Sequence, residues 1–122
     1  MPLAKNVMRG GISAGAAKAI NGNEAISTVT AAGTTTSDAT ALTGDTNIVS
    51  TATSGQGVIC YAGEPGDSQL IYNATTANIK VYPPSGAKFN QLAADAGFVL
   101  APYTGVEAKC VTSTQWLGFL SA

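Results

Sequence analysis

The sequence contains no histidine, only two cysteines and one tryptophan, and its charged residues amount to 11% of 122 positions. Without histidine there is no Ser-His-Asp or Cys-His pair, no HExxH zinc site and no imidazole general base. Cys60 and Cys110 stand too far apart for a zinc ligand pair, so no metal or cofactor is expected. Charge at 11% compares with about 25% in an average soluble domain. A surface so poor in charge is expected to be covered, which favours an oligomer or an assembly component. No run approaches the ~18 apolar residues that span a bilayer, so no membrane partner is expected. Lys5 and Arg9 precede Ile12-Ser13-Ala14-Gly15-Ala16-Ala17, but that run is short, rich in Gly and Ala, and interrupted by Lys18, unlike a secretory signal. The expected site of synthesis and folding is therefore the cytoplasm.

Net charge is −1, which argues against nucleic acid as a partner, yet the charges are unevenly placed. Lys5, Arg9 and Lys18 all precede the first acid, Glu24, whereas the rest of the chain is acidic. Residues 1–23 read as a basic N-terminal arm, in which Gly10, Gly11 and Gly15 weaken any helix, and residues 24–122 as a single β domain. The arm is expected either to be solvated or to order on a neighbouring subunit or partner surface.

What the sequence does hold is small residues, turn chemistry and short apolar runs, and the expectation is an all-β fold. Strands are expected near Glu24–Thr30, Asn47–Thr51, Gly57–Tyr61, Ser68–Asn73, Asn78–Tyr82, Gly97–Leu100, Val106–Thr112 and Gln115–Leu120. Gly63-Glu64-Pro65-Gly66-Asp67 is a turn, since Pro presets φ and Gly supplies φ > 0. Asn73 to Asn78 reads as a hairpin loop, with Leu70 and Tyr72 on one face and Ile79 and Val81 on another. Pro83-Pro84 must end the second strand, because neither residue donates to a ladder. Residues 91–96 fit either one helical turn or a loop. Spacings of about 8–12 residues between strand starts favour a small antiparallel β-sandwich or a partly open barrel with an extended N-terminal arm.

Several groups invite chemical readings. In Val106–Val111, alternation places Val106, Ala108 and Cys110 inward, opposite Glu107 and Lys109. Buried free thiols are favoured over a Cys60–Cys110 bridge, and a catalytic thiol lacks its activating base. Glu64 and Asp67 could serve a glycosidase as a carboxylate pair, but flanking Pro-Gly they read more simply as a solvated turn. Asp38 and Asp45, beside Ser and Gly, read as turn residues. Gly55-Gln56-Gly57 lacks a third Gly and a βαβ frame, so it is weak as a phosphate loop. Asn73-Ala74-Thr75 matches a glycosylation sequon but is also an ordinary turn. Tyr61, Tyr72, Tyr82, Tyr103 and Trp116 are expected in the core or at subunit contacts, with a sugar-binding face as the alternative.

A resemblance rests on Gly66-Asp67-Ser68-Gln69-Leu70-Ile71-Tyr72-Asn73, on Ile79-Lys80-Val81-Tyr82-Pro83-Pro84-Ser85-Gly86, on Asn90-Gln91-Leu92-Ala93, and on Cys110-Val111-Thr112-Ser113-Thr114-Gln115-Trp116. From Thr43 onward the chain resembles small virion proteins of tailed bacteriophages, of the capsid decoration (cement) or head-fibre type. That resemblance implies a non-enzymatic homotrimer on the capsid surface, with the major capsid protein as partner and Lys5, Arg9 and Lys18 as its shell-binding arm. The alternative it leaves open is a head- or tail-fibre module that binds a host receptor or glycan.

Overall fold

Alternation of side chains decides where the strands lie, and turn residues decide where they stop. The computed structural model describes residues 26–121, which hold ten strands and no helix. They are β1 (Ile26–Thr30), β2 (Thr40–Ala41), β3 (Thr46–Thr51), β4 (Gly57–Ile59), β5 (Ser68–Asn73), β6 (Ile79–Tyr82), β7 (Lys88–Phe89), β8 (Phe98–Leu100), β9 (Gly105–Cys110) and β10 (Gln115–Leu120). The all-β expectation holds, and all eight expected strands have a counterpart; β2 and β7, two residues each, are additional. Residues 91–96 form turns rather than a helical turn. The proposed arm, with Lys5, Arg9 and Lys18, lies outside the described residues.

The strands build two sheets, a long one ordered β1-β3-β5-β9-β10-β7 and a short one ordered β2-β4-β6-β8. Within β1–β6 the chain crosses three times from the long sheet to the short one. Each return lays a strand parallel to its predecessor, β1 on β3 on β5 and β2 on β4 on β6. Ile26 faces Thr46 and Thr46 faces Leu70, so the coils advance by 20 and then 24 residues. After this solenoid-like stack the direction reverses. β8 runs antiparallel to β6, β9 antiparallel to β5, and β10 antiparallel to β9, with β7 parallel to β10 at the far edge.

This mixed topology corrects the expected antiparallel sandwich or barrel made of hairpins. The loop from Asn73 to Asn78 is a corner between sheets, because β5 belongs to the long sheet and β6 to the short one. The two arrangements use the same turn residues and differ in how the backbone at the turn is satisfied. Here a buried side chain does it. The Asn73 amide donates to the carbonyls of Ala77 (2.8 Å), Leu100 (3.0 Å) and Ala101 (3.2 Å), and its Oδ1 accepts from the Thr75 N–H (3.0 Å) and hydroxyl (2.7 Å). Gln69 closes another corner, accepting from the Tyr61 N–H at 3.1 Å and donating to the Tyr61 carbonyl at 2.9 Å. Asn47 donates to the carbonyls of Gly44 and Leu70.

Between the sheets lies one apolar core, with Val49, Ile71, Val106 and Ala108 from the long sheet and Val58, Ile79, Val81 and Leu100 from the short one. At its far end Phe89 packs edge-on against both Phe98, at 5.0 Å between centroids, and Trp116, at 6.5 Å. The Tyr82 ring lies between two backbones. A Cβ on Gly57 would come within 2.6 Å of it, and one on Gly97 within 2.7 Å. Its hydroxyl donates to the Thr34 carbonyl at 2.7 Å, tying the third coil to the first.

Two substitutions test this packing by chemical denaturation. Trp116→Ala, which empties a fully buried site, is expected to cost about 3–5 kcal/mol. Gly97→Ala is expected to cost about 1–3 kcal/mol by forcing the Tyr82 ring off its seat. Near-neutral values would mean that neither ring is held as described.

Candidate functional site

The five aromatic residues expected in the core or at contacts occupy different surroundings and make no single face. Trp116 and Tyr82 are buried, and Tyr61 is half-buried with its hydroxyl donating to Asp45 at 2.8 Å. Tyr72 points outward from β5, beside Gly105 of β9. Tyr103 is 59% exposed, at a turn where its backbone takes φ of 57° and its N–H donates to the Asn73 carbonyl.

The long sheet instead presents an outward face that the sequence reading did not single out. Cross-strand register aligns Ile26, Thr46, Leu70, Glu107 and Phe119 in one row, and Thr28, Ile48, Tyr72 and Gly105 in the next. Ile26, Leu70, Tyr72 and Phe119 are all exposed on it, Ile26 at 71%. The signal was present in β5, where Leu70, Ile71 and Tyr72 are consecutive large apolar residues. Period-2 geometry can bury only one parity of such a run against a single core, so the other parity must face outward. At the start of the strands this face dips into a groove of about 330 Å³ lined by Asp45, Thr46, Ser68, Leu70 and Glu107.

The other carboxylates serve turns. Asp38 accepts from the Thr34 and Thr35 N–H groups and the Thr35 hydroxyl, and those bonds, the Thr35 N–H foremost, lower its pKa. Asp67 accepts from the Glu64 N–H at 2.9 Å across the Pro-Gly turn, so the two carboxylates flank a folded loop. Gln56 of the Gly-x-Gly segment accepts from the Thr53 N–H, a local turn bond. Among the described residues no three His, Cys, Asp or Glu side chains come together as metal ligands.

Both thiols are free and buried. Burial raises the Cys110 pKa, and the neighbouring charges of Asp67 and Glu64 add to it. Burial alone pushes Cys60 from 9.0 up to about 12. The folded protein therefore keeps the Cys60 proton at a pH where the unfolded chain has lost it. This contribution is intact below pH 9.0 and declines by up to ~1.4 kcal/mol per pH unit towards pH 12. Cys60→Ala is expected to flatten that decline relative to the parent protein in denaturation curves measured from pH 8 to 11. A thiol-specific disulfide reagent is expected to titrate two thiols per chain in denaturant and neither in the native protein at pH 8.

Compared with known proteins, the chain matches no protein-family model and no curated protein.

Proposed function

We propose that this chain is a capsid decoration (cement) protein of a tailed bacteriophage. In this reading it acts as a homotrimer on the outer surface of the head shell, bound to the major capsid protein, and stabilises the shell without catalysing a reaction. The observation that carries the reading is the exposed row of Ile26, Leu70 and Phe119 with the adjacent Tyr72, set on a sheet whose backbone is already hydrogen-bonded. Thr46 and Glu107 stand between them in the row, and exposed large apolar residues gathered on one face among polar neighbours mark an interaction site. Modest interfaces of this type gain strength when symmetry repeats them over a lattice. The stacked coils and reversed C-terminal strands give the face stiffness, and the resemblance of residues from Thr43 onward to phage virion modules supplies the setting. The basic arm with Lys5, Arg9 and Lys18 is assigned to capsomer seams.

A second reading, a head- or tail-fibre module for a host receptor or glycan, is favoured by one observation. Tyr103 holds a large exposed ring on a left-handed backbone, a conformation that bulky residues adopt at a cost and that is often retained for recognition.

Copy number per purified virion separates the two. Hundreds of copies per head, measured against the major shell protein, are expected for decoration, whereas a few dozen or fewer would move the protein to a fibre or vertex. Deleting residues 1–22 is expected to leave a folded body that no longer binds shells, and binding at full affinity would overturn the role given to the arm.

A further inference from the structure

We infer that, in the chain free of any shell, the groove at Asp45 and Glu107 is the docking site for this chain's own basic N-terminal segment, residues 1–25, which shell binding would have to displace. Position is the first argument. Ile26 opens β1 opposite Thr46, and Asp45 immediately precedes Thr46, so the chain joins the long sheet at the end where the groove lies. Reach is the second. Adjacent strands stand ~4.8 Å apart, which puts Glu107, three strands from β1, roughly 14 Å from Ile26. Lys18 lies eight residues before Ile26, and eight extended residues span up to ~26 Å.

Charge is the third argument. The described residues carry Asp38, Asp45, Glu64, Asp67, Asp95 and Glu107 against Lys80, Lys88 and Lys109, a net −3, whereas residues 1–25 carry Lys5, Arg9 and Lys18 against Glu24, a net +2. Lys109 is the cation at the groove's rim, and its ammonium donates to the Gly66 carbonyl and the Ser68 hydroxyl, each at 3.3 Å. Leu70 supplies an apolar floor for the methylene stem of a lysine whose head reaches the carboxylates. A tether this short keeps the segment at an effective concentration in the millimolar range, so weak contacts suffice to seat it.

The inference does not rest on the decoration reading, because its test uses the free full-length chain. Zero-length carbodiimide coupling at low salt is expected to join a lysine of residues 1–25 to Glu107 or Asp45 within the monomer band, and 0.5 M salt is expected to suppress the product. Trypsin is expected to cut after Lys18 faster in Glu107→Lys than in the parent protein, by up to about fivefold, the upper range for a surface ion pair. Glu107 is exposed on β9, so this variant is expected to fold, and the thiol protection described above checks that it does. No coupling from the segment to either carboxylate, coupling confined to a dimer band, or equal trypsin rates would overturn the inference. The dimer result would assign the groove to a second copy.

Discussion

Every crossing between the two sheets interrupts a hydrogen-bond ladder inside the protein, and the fold depends on satisfying the backbone groups left there. Asn47, Gln69 and Asn73 do this from inward positions of the parallel strands. An unpaired buried amide costs about 1–3 kcal/mol, so three corners without such partners would consume much of the stability of a domain this size. Asn73 has the widest role, since its side chain joins the corner after β5 to the loop that follows β8. The same carboxamides that limit the apolar content of the core therefore fix its geometry.

Around these polar anchors the packing is tight in a particular way. Small residues let the sheets and loops approach, and a few large rings fill what remains. Tyr82 occupies a slot that exists because Gly57 and Gly97 lack side chains, and its hydroxyl reaches back to the first coil. Trp116, Phe89 and Phe98 form a second aromatic group, joined to the Tyr82 slot through Gly97 and the pairing of Phe98 with Val81.

Strand positions were legible in the sequence because they depend on local alternation and on Pro and Gly. Pro83-Pro84 ends β6, and the Val106–Cys110 run buries the residues its periodicity indicated. Sheet membership was not legible. Ser68–Asn73 followed by Asn78–Tyr82 looks alike as a hairpin and as two sides of a coil, and the difference lies with the Asn73 side chain, whose partners come from residues 100 and 101. Unequal coil steps also hide the repeat. The outward face was half legible, since the consecutive Leu70, Ile71 and Tyr72 require two occupied faces, whereas bringing Asp45 beside Glu107 needs the register of three strands.

The reversed C-terminal strands bear on how the molecule is completed during synthesis. β7 pairs within the long sheet through β10, the last of the described strands, and β9 covers the side of β5 that the coils leave open. A nascent chain that has released its first three coils still carries an unpaired edge along β5 and another along β6. Premature termination before Gln115–Leu120 would instead leave β9 with an open edge and β7 without its strand partner, so loss of that six-residue strand is more hazardous for aggregation than its length suggests.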